Sequence, residues 1–134
     1  MAKMIDIEGI GAAYAQKLAG AGVTTTGQLL KAAAGAAGRK DLAKQADVTT
    51  QQVLEWVNRA DLMRISGVGT QYSDLLEASG VDTVIELAQR NAANLYDKML
   101  DINAAKRLVR QIPSAEQVAG WVAQAAKMPR VVSH

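Results

Sequence analysis

Residues 7–33 of this chain recur, shifted by 58 positions, at residues 65–91, where IEGIGAAYAQKLAGAGVTTTGQLL aligns without a gap with ISGVGTQYSDLLEASGVDTVIELA. Ile7, Gly9, Gly11, Tyr14, Leu18, Gly22, Val23, Thr25 and Leu29 meet Ile65, Gly67, Gly69, Tyr72, Leu76, Gly80, Val81, Thr83 and Leu87. The identities fall on the glycines and apolar positions that fix backbone and core, so the chain must be built from one structural unit used twice. Each unit has close to 60 residues, a length at which a lone core is thin. Two such units are therefore expected to pack together.

Each copy predicts the same series of helices. After a Gly-x-Gly turn, Tyr14 and Leu18, or Tyr72 and Leu76, stand four apart on one helix face. Gly22 or Gly80 ends that helix, where a left-handed cap suits glycine. Thr25 or Thr26, and Thr83 in the second copy, cap a short helix that buries Leu29 and Leu30, or Val84, Leu87 and Ala88. The Gly35 to Gly38 region ends it. A third helix runs through about Leu42 to Ala46, matched by Leu95 to Leu100. The fourth is expected after Asp47-Val48-Thr49 and after Asp101-Ile102-Asn103, carrying Val53, Leu54 and Val57, or Leu108, Val109 and Ile112. Pro113-Ser114 then breaks the chain and opens a final helix ending before Pro129. Its QVAGWV echoes QVLEWV at 52–57, so either the second copy holds an inserted helix or the alignment slips there. The predicted organisation is a first unit at 1–60, a second at 61–112, and a C-terminal helix and tail at 113–134.

Composition sharpens this reading. Only five of the 134 residues are aromatic and none is Phe, so the core must come from Leu, Ile, Val and abundant Ala, which suits close-packed helices. The net charge of +2 conceals an asymmetry. Residues 102–134 carry Lys106, Arg107, Arg110, Lys127 and Arg130 against Glu116 alone, a balance of 5 − 1 = +4, whereas the other 101 residues sum to 10 − 12 = −2. Attraction to phosphate is expected from the C-terminal third. With no Cys, disulfides and thiolate metal sites are excluded. The opening residues lack the apolar stretch of about 7–15 residues in a secretory signal, and no segment reaches the ~18 apolar residues of a membrane span. A cytoplasmic location without membrane association is expected.

Glycines two apart before an amphipathic helix also carry chemistry. The first permits a tight turn, and the second lets the backbone approach another group without a Cβ in the way. The free amides of the following helix N-terminus then form an anion site suited to a phosphate oxygen. With its apolar-x-Gly-apolar-Gly turn and its Tyr and Leu at fixed spacing, present twice, the chain resembles the helix-hairpin-helix superfamily. GIGAAYAQKLAGAGVTTTGQLL is especially similar to the variants in recombinase N-terminal domains and RNA polymerase α subunits. Over its whole length the chain looks like a family of small bacterial tandem helix-hairpin-helix proteins.

That resemblance implies an all-α fold of two tandem pseudo-equivalent helix-hairpin-helix units, of the SAM-like or recombinase N-terminal type, plus a C-terminal helix. It implies phosphate binding by the backbone amides of Gly9, Gly11 and Ala13, and of Gly67, Gly69 and Gln71. A monovalent cation would sit on the carbonyls of Ile5, Ile7 and Ile10, or of Met63, Ile65 and Val68. At the partner turns of such domains this chain has Ala46-Asp47-Val48 and Leu100-Asp101-Ile102, with Asp where Gly would admit a phosphate. These turns are expected to be structural. Glu8 in the first hairpin would repel a phosphate.

Elsewhere, Trp56 and Trp121 could stack on bases, but their helical spacing beside Val53, Val57, Val118 and Val122 favours packing. Tyr14 and Tyr72 are expected in the core with the hydroxyl at its rim. Lys106, Arg107 and Arg110 are expected as a basic face on one helix, able to follow a phosphate backbone or simply to remain solvated. The only His is terminal His134, and no acid pair sits beside a base, metal motif or phosphate loop, so neither catalysis nor a cofactor is expected. The expected function is non-enzymatic, sequence-nonspecific DNA binding through hairpin amides. The alternative is a protein-interaction or scaffold module whose hairpins are only turns.

Overall fold

The computed structural model describes residues 3, 4, 7 and 10–133. These residues form α1 (Gly11–Gly20), α2 (Thr26–Ala33), α3 (Ala36–Ala46), α4 (Thr50–Leu62), α5 (Thr70–Ala78), α6 (Val84–Ala88), α7 (Ala92–Lys106) and α8 (Ala115–Ala126). The protein is all-helical: no strand occurs among the described residues, where one isolated bridge pairs Lys3 with Thr25. None of the helices in that range is long and apolar enough to cross a membrane. The chain divides into two compact units, Met1–Asp61 with Val131–His134, and Leu62–Arg130.

In the first unit Met4, Ile7 and Ile10 are buried three apart, and the amides of Ile7 and Ile10 donate to the carbonyls of Met4 (3.1 Å) and Ile7 (3.2 Å). This tight turn delivers the chain to α1, which buries Leu18. Helix α1 ends in a Schellman-type cap, with Gly22 at φ +86° and the Val23 amide donating to the Leu18 carbonyl at 2.9 Å. Thr25, rather than Thr26, caps α2: its hydroxyl accepts from the Gln28 amide (3.2 Å), while the Gln28 side chain accepts from the Thr25 amide (3.3 Å). Gly35 is the N-cap of α3, so the Gly35–Gly38 stretch opens that helix as well as closing α2. After Asp47, at φ +56°, Thr49 and Gln52 form a reciprocal pair that starts α4. Helix α4 then buries Val53, Trp56, Val57 and Ala60.

The C-terminal tail belongs to this first unit. Val132 is buried, and the Ser133 amide donates to the Ala34 carbonyl at 2.9 Å. The buried guanidinium of Arg39 donates to the carbonyls of Ala33 (3.2 Å), Ala34 (2.7 Å) and Ser133 (2.7 Å). Carbonyls left over at the end of α2 thus meet a fixed cation, which their dipoles favour.

The second unit repeats this plan at the same spacing as far as α6. Leu62, Ile65 and Val68 are buried, and the amides of Ile65 and Val68 donate to the carbonyls of Leu62 and Ile65, at 3.1 Å in both cases. Gly80 lies at φ +94° while the Val81 amide donates to Leu76 at 2.9 Å, and Thr83 caps α6. Leu75, Leu76, Val84, Leu87, Leu95, Met99, Val118 and Trp121 fill the core.

Beyond α6 the expected pattern fails. Helix α7 runs straight through Asp101-Ile102-Asn103, and Leu108–Ile112 is not helical. With neither Gly nor Pro between Ala92 and Lys106, nothing interrupts the turn-by-turn bonding, and Leu95 and Met99 keep the inner face buried. Helix α7 stops at Arg107, φ +52°, where the Asn103 side chain captures the next segment by accepting from the Val109 amide (2.9 Å) and donating to the Val109 carbonyl (3.1 Å). Lys106, Arg107 and Arg110 are therefore not a helix face: Lys106 ends α7, Arg107 is its left-handed cap, and Arg110 lies in the following loop.

The helix corresponding to α4 is α8. Ser114 and Gln117 reproduce the reciprocal cap of Thr49 and Gln52, and Trp121 tilts against Tyr72 at 5.3 Å and 50°, as Trp56 does against Tyr14 at 5.4 Å and 55°. The alignment slips rather than continues. Between the left-handed cap and the next helix cap the first unit has Val48 alone, whereas the second has residues 108–113.

The anchored tail gives a test of the first unit. Val132→Ala should lower unfolding free energy by about 1–3 kcal/mol in equilibrium urea titrations, whereas Ser133→Ala, whose backbone makes the main contacts, should change it by less than about 0.5 kcal/mol. Equal effects would show that the tail is not held by Val132.

Candidate anion-binding cleft

The second Gly-x-Gly turn is fixed before it reaches α5. Its Ser66 amide donates to the Gln124 side chain of α8 at 2.7 Å, and Arg64 donates to the Pro129 carbonyl at 3.0 Å. Gly67 lies at φ +89°, a left-handed conformation that side chains resist. Gly69 is the N-cap of α5 in extended backbone, φ −93° and ψ −166°, with no side-chain cap. Its carbonyl accepts from the Ser73 amide at 2.9 Å, so the amides of Thr70, Gln71 and Tyr72 precede the first intrahelical bond. Nothing lies within 4 Å of the place a Gly69 Cβ would occupy.

These groups face a cleft of about 560 Å³ lined by Gly67, Gly69, Thr70, Gln71, Tyr72, Arg110 and Gln111. The loop carrying Arg110 is held on both sides. Asn103 clamps Val109 in front of it, and the Tyr72 hydroxyl donates to the Gln111 carbonyl behind it at 2.9 Å. An exposed guanidinium is thus stationed beside uncapped amides whose helix dipole is positive at the same end. Every such group is a donor, and the cleft can take an oxyanion.

A family model described as Domain of unknown function (DUF4332) matches residues 8–128. The chain belongs to that family. No curated protein and no solved structure matches it. The DUF4332 match covers both Gly-x-Gly helices and the loop that carries Arg110.

Within this DUF4332 chain the candidate residues separate. Gly67, Gly69, Gln71 and Arg110 come together in the cleft, while Lys106 and Arg107 are exposed and not among its lining residues. Gly9, Ile5, Glu8 and His134 lie outside the described residues. Gly11 and Ala13 are exposed on α1, where Gly11 has a positive angle, φ +70°. The Tyr14 hydroxyl accepts from Gln52 at 3.0 Å, and Lys17 donates to the Asp47 carbonyl at 3.3 Å while lying 5.8 Å over the Tyr14 ring. Of the carbonyls Met63, Ile65 and Val68, that of Ile65 already accepts the Val68 amide. Trp56 and Trp121 are buried, and the rings of Tyr14 and Tyr72 are half-buried with their hydroxyls bonded at the rim. Thr70, Tyr72 and Gln111 join the cleft without having been singled out for it; the extra residues before Ser114 were the only trace of Gln111 in the sequence.

The two glycines should respond differently to substitution. Gly67→Ala should cost about 1–2 kcal/mol because of its positive φ. Gly69→Ala should change stability by less than about 1 kcal/mol, since a stiffer unfolded chain offsets a poorer N-cap. Urea unfolding of both variants checks the contrast.

Proposed function

We propose that this protein is a non-enzymatic, sequence-nonspecific DNA-binding module of helix-hairpin-helix type, which grips a backbone phosphate at the turn Gly67-Val68-Gly69. The observation that carries this reading is the convergence of the uncapped α5 amides and the anchored Arg110 on one cleft. The helix-hairpin-helix assignment is supported by the hydrogen bonds that recur 58 residues apart: Ile7 to Met4 and Ile65 to Leu62, Ile10 to Ile7 and Val68 to Ile65, Val23 to Leu18 and Val81 to Leu76. Backbone amides and one Arg contact phosphate oxygens but not base edges, so such a site reads no sequence. The first unit lacks a counterpart of the Arg110 loop, which concentrates the proposed contact in the second.

A scaffold role is favoured by a different observation, a shallow groove of about 360 Å³ on the first unit lined by Lys3, Met4, Ala12, Ala15, Gln16, Ala19 and Thr24. The small, largely apolar side chains along α1 would suit a protein surface.

Binding of a labelled single strand and a labelled duplex across a salt series decides between them. DNA binding should appear at low salt with a shallow dependence, of slope about −1, because few charges take part. Gly69→Val should weaken it at least about tenfold without unfolding the chain, since its Cβ enters open space in front of the amides. Arg110→Ala should weaken it and flatten the slope by roughly one unit. A parent protein that binds neither probe at low salt would overturn the DNA reading and leave the groove as the working surface.

A further inference from the structure

The seat of the C-terminal tail on the first unit holds a short stretch of backbone. The Ser133 amide donates to the Ala34 carbonyl at 2.9 Å, and the Ser133 carbonyl accepts from Arg39 at 2.7 Å, so this residue is gripped through both of its main-chain groups. Val132 beside it is buried. The same guanidinium serves the carbonyls of Ala33 and Ala34 at the end of α2. Arg39 is 4% exposed, so an empty seat would leave a buried cation one acceptor short, which favours replacement of a departed tail over vacancy. Residues 131–133 are separated from the rest of the first unit by the whole of Leu62–Arg130. The Pro129 carbonyl is still fixed in the second unit by Arg64 at 3.0 Å, while Val132 is already buried in the first. Arg130 and Val131 alone join those anchors, and a connection so short favours exchange of an end segment between copies.

We propose that this seat is an exchange site between two copies of the chain: residues 131–133 of one copy dock on Ala33, Ala34 and Arg39 of the other, and the reverse, in a twofold dimer. Each Arg39 then takes its third carbonyl from the second copy, and every contact of the seated tail is kept. The change falls on Arg130. It is exposed and lies outside any helix, so its backbone can turn toward a neighbouring molecule without breaking a helical bond. Val131, Val132 and Ser133 have uncharged side chains, so no like charges oppose the docking of a second copy's tail beside Arg39. The proposal is independent of the reading of the cleft.

Because the chain has no cysteine, introduced thiols report on this contact alone. A Cβ at Gly35 would stand 3.7 Å from the Ser133 hydroxyl, and the Gly35 backbone is extended, φ −103° and ψ 163°. Gly35→Cys and Ser133→Cys therefore put two thiols within bonding reach across a seated tail. The double variant should form the disulfide inside one chain at low concentration. Full chains carrying one substitution each are then mixed at high concentration in a glutathione redox buffer. Gly35→Cys with Ser133→Cys should give a cross-linked heterodimer at least about fivefold above that of Gly35→Cys with Glu116→Cys, an exposed site on α8. Adding Val132→Ala to the Ser133→Cys chain should bring the yield down toward that control. Sedimentation of the unsubstituted chain should show a dimer that grows with concentration. If the double variant closes within one chain while the mixture yields no more than the control, the tail docks only in its own molecule and the proposal is overturned. It is overturned equally if neither cross-link forms, or if the unsubstituted chain is a monomer at every concentration.

Discussion

Burial of Leu62, Ile65 and Val68 is the constraint on which the cleft depends. Three apolar side chains spaced three apart can all face one core only if the backbone coils tightly, and the bonds from Ile65 to Leu62 and from Val68 to Ile65 are that coil. Such a coil must be left abruptly for α5 to begin, which the positive φ of Gly67 permits. Helix α5 then starts at a glycine with no capping side chain, although Thr83, Asn91 and Ser114 cap the other helices of the same unit. The start of α5 is the one in this unit at which a ligand can take the place of a cap.

The two units diverge after the third helix. Helix α7 has fifteen residues where α3 has eleven, about one extra turn. The chain must return from that extra turn to a helix whose Trp still reaches the Tyr of the first helix. Residues 108–113 make the return, and Val109 and Pro113 are buried on the way. In the first unit the Tyr14 hydroxyl is engaged by Gln52 of α4, whereas the hydroxyl of Tyr72 is engaged by the returning loop itself. One structural difference thus brings Arg110 to the turn and holds it there.

Features set by near neighbours were legible in the sequence: the Gly22 and Gly80 caps, the Thr83 cap, a threonine cap at 25 or 26, and a helix following Gly67-Val68-Gly69, whereas α1 already begins at Gly11. These depend on backbone conformations or side-chain reaches within a few residues. The continuation of α7 was not legible, because Asp101-Ile102-Asn103 resembles the Asp47-Val48-Thr49 stop in composition, yet Met99 and Leu95 hold it in a helix through distant contacts. The position of Arg110 was hidden for the same reason. Its sequence spacing from Lys106 and Arg107 suggested a shared helix face, whereas bonds from Asn103 and Tyr72 put it on the cleft. The echo of QVLEWV in QVAGWV was the correct clue, since the Trp–Tyr contact is what the fold preserves while the spacing before it changes.

On the proposed reading, a cleft of this composition lets a chain of net charge +2 hold a polyanion. Most of its donors are backbone amides and carry no net charge, so the attraction comes from oriented dipoles rather than from an accumulation of Lys and Arg. Dipoles act over short distances, whereas charge clusters draw in any polyanion from a Debye length away. The selectivity of such a site therefore lies in close approach. That puts the burden on Gly69, where the absence of a side chain keeps the approach open, and on the bonds of Gln124, Asn103 and Tyr72 that hold the donors still before a ligand arrives.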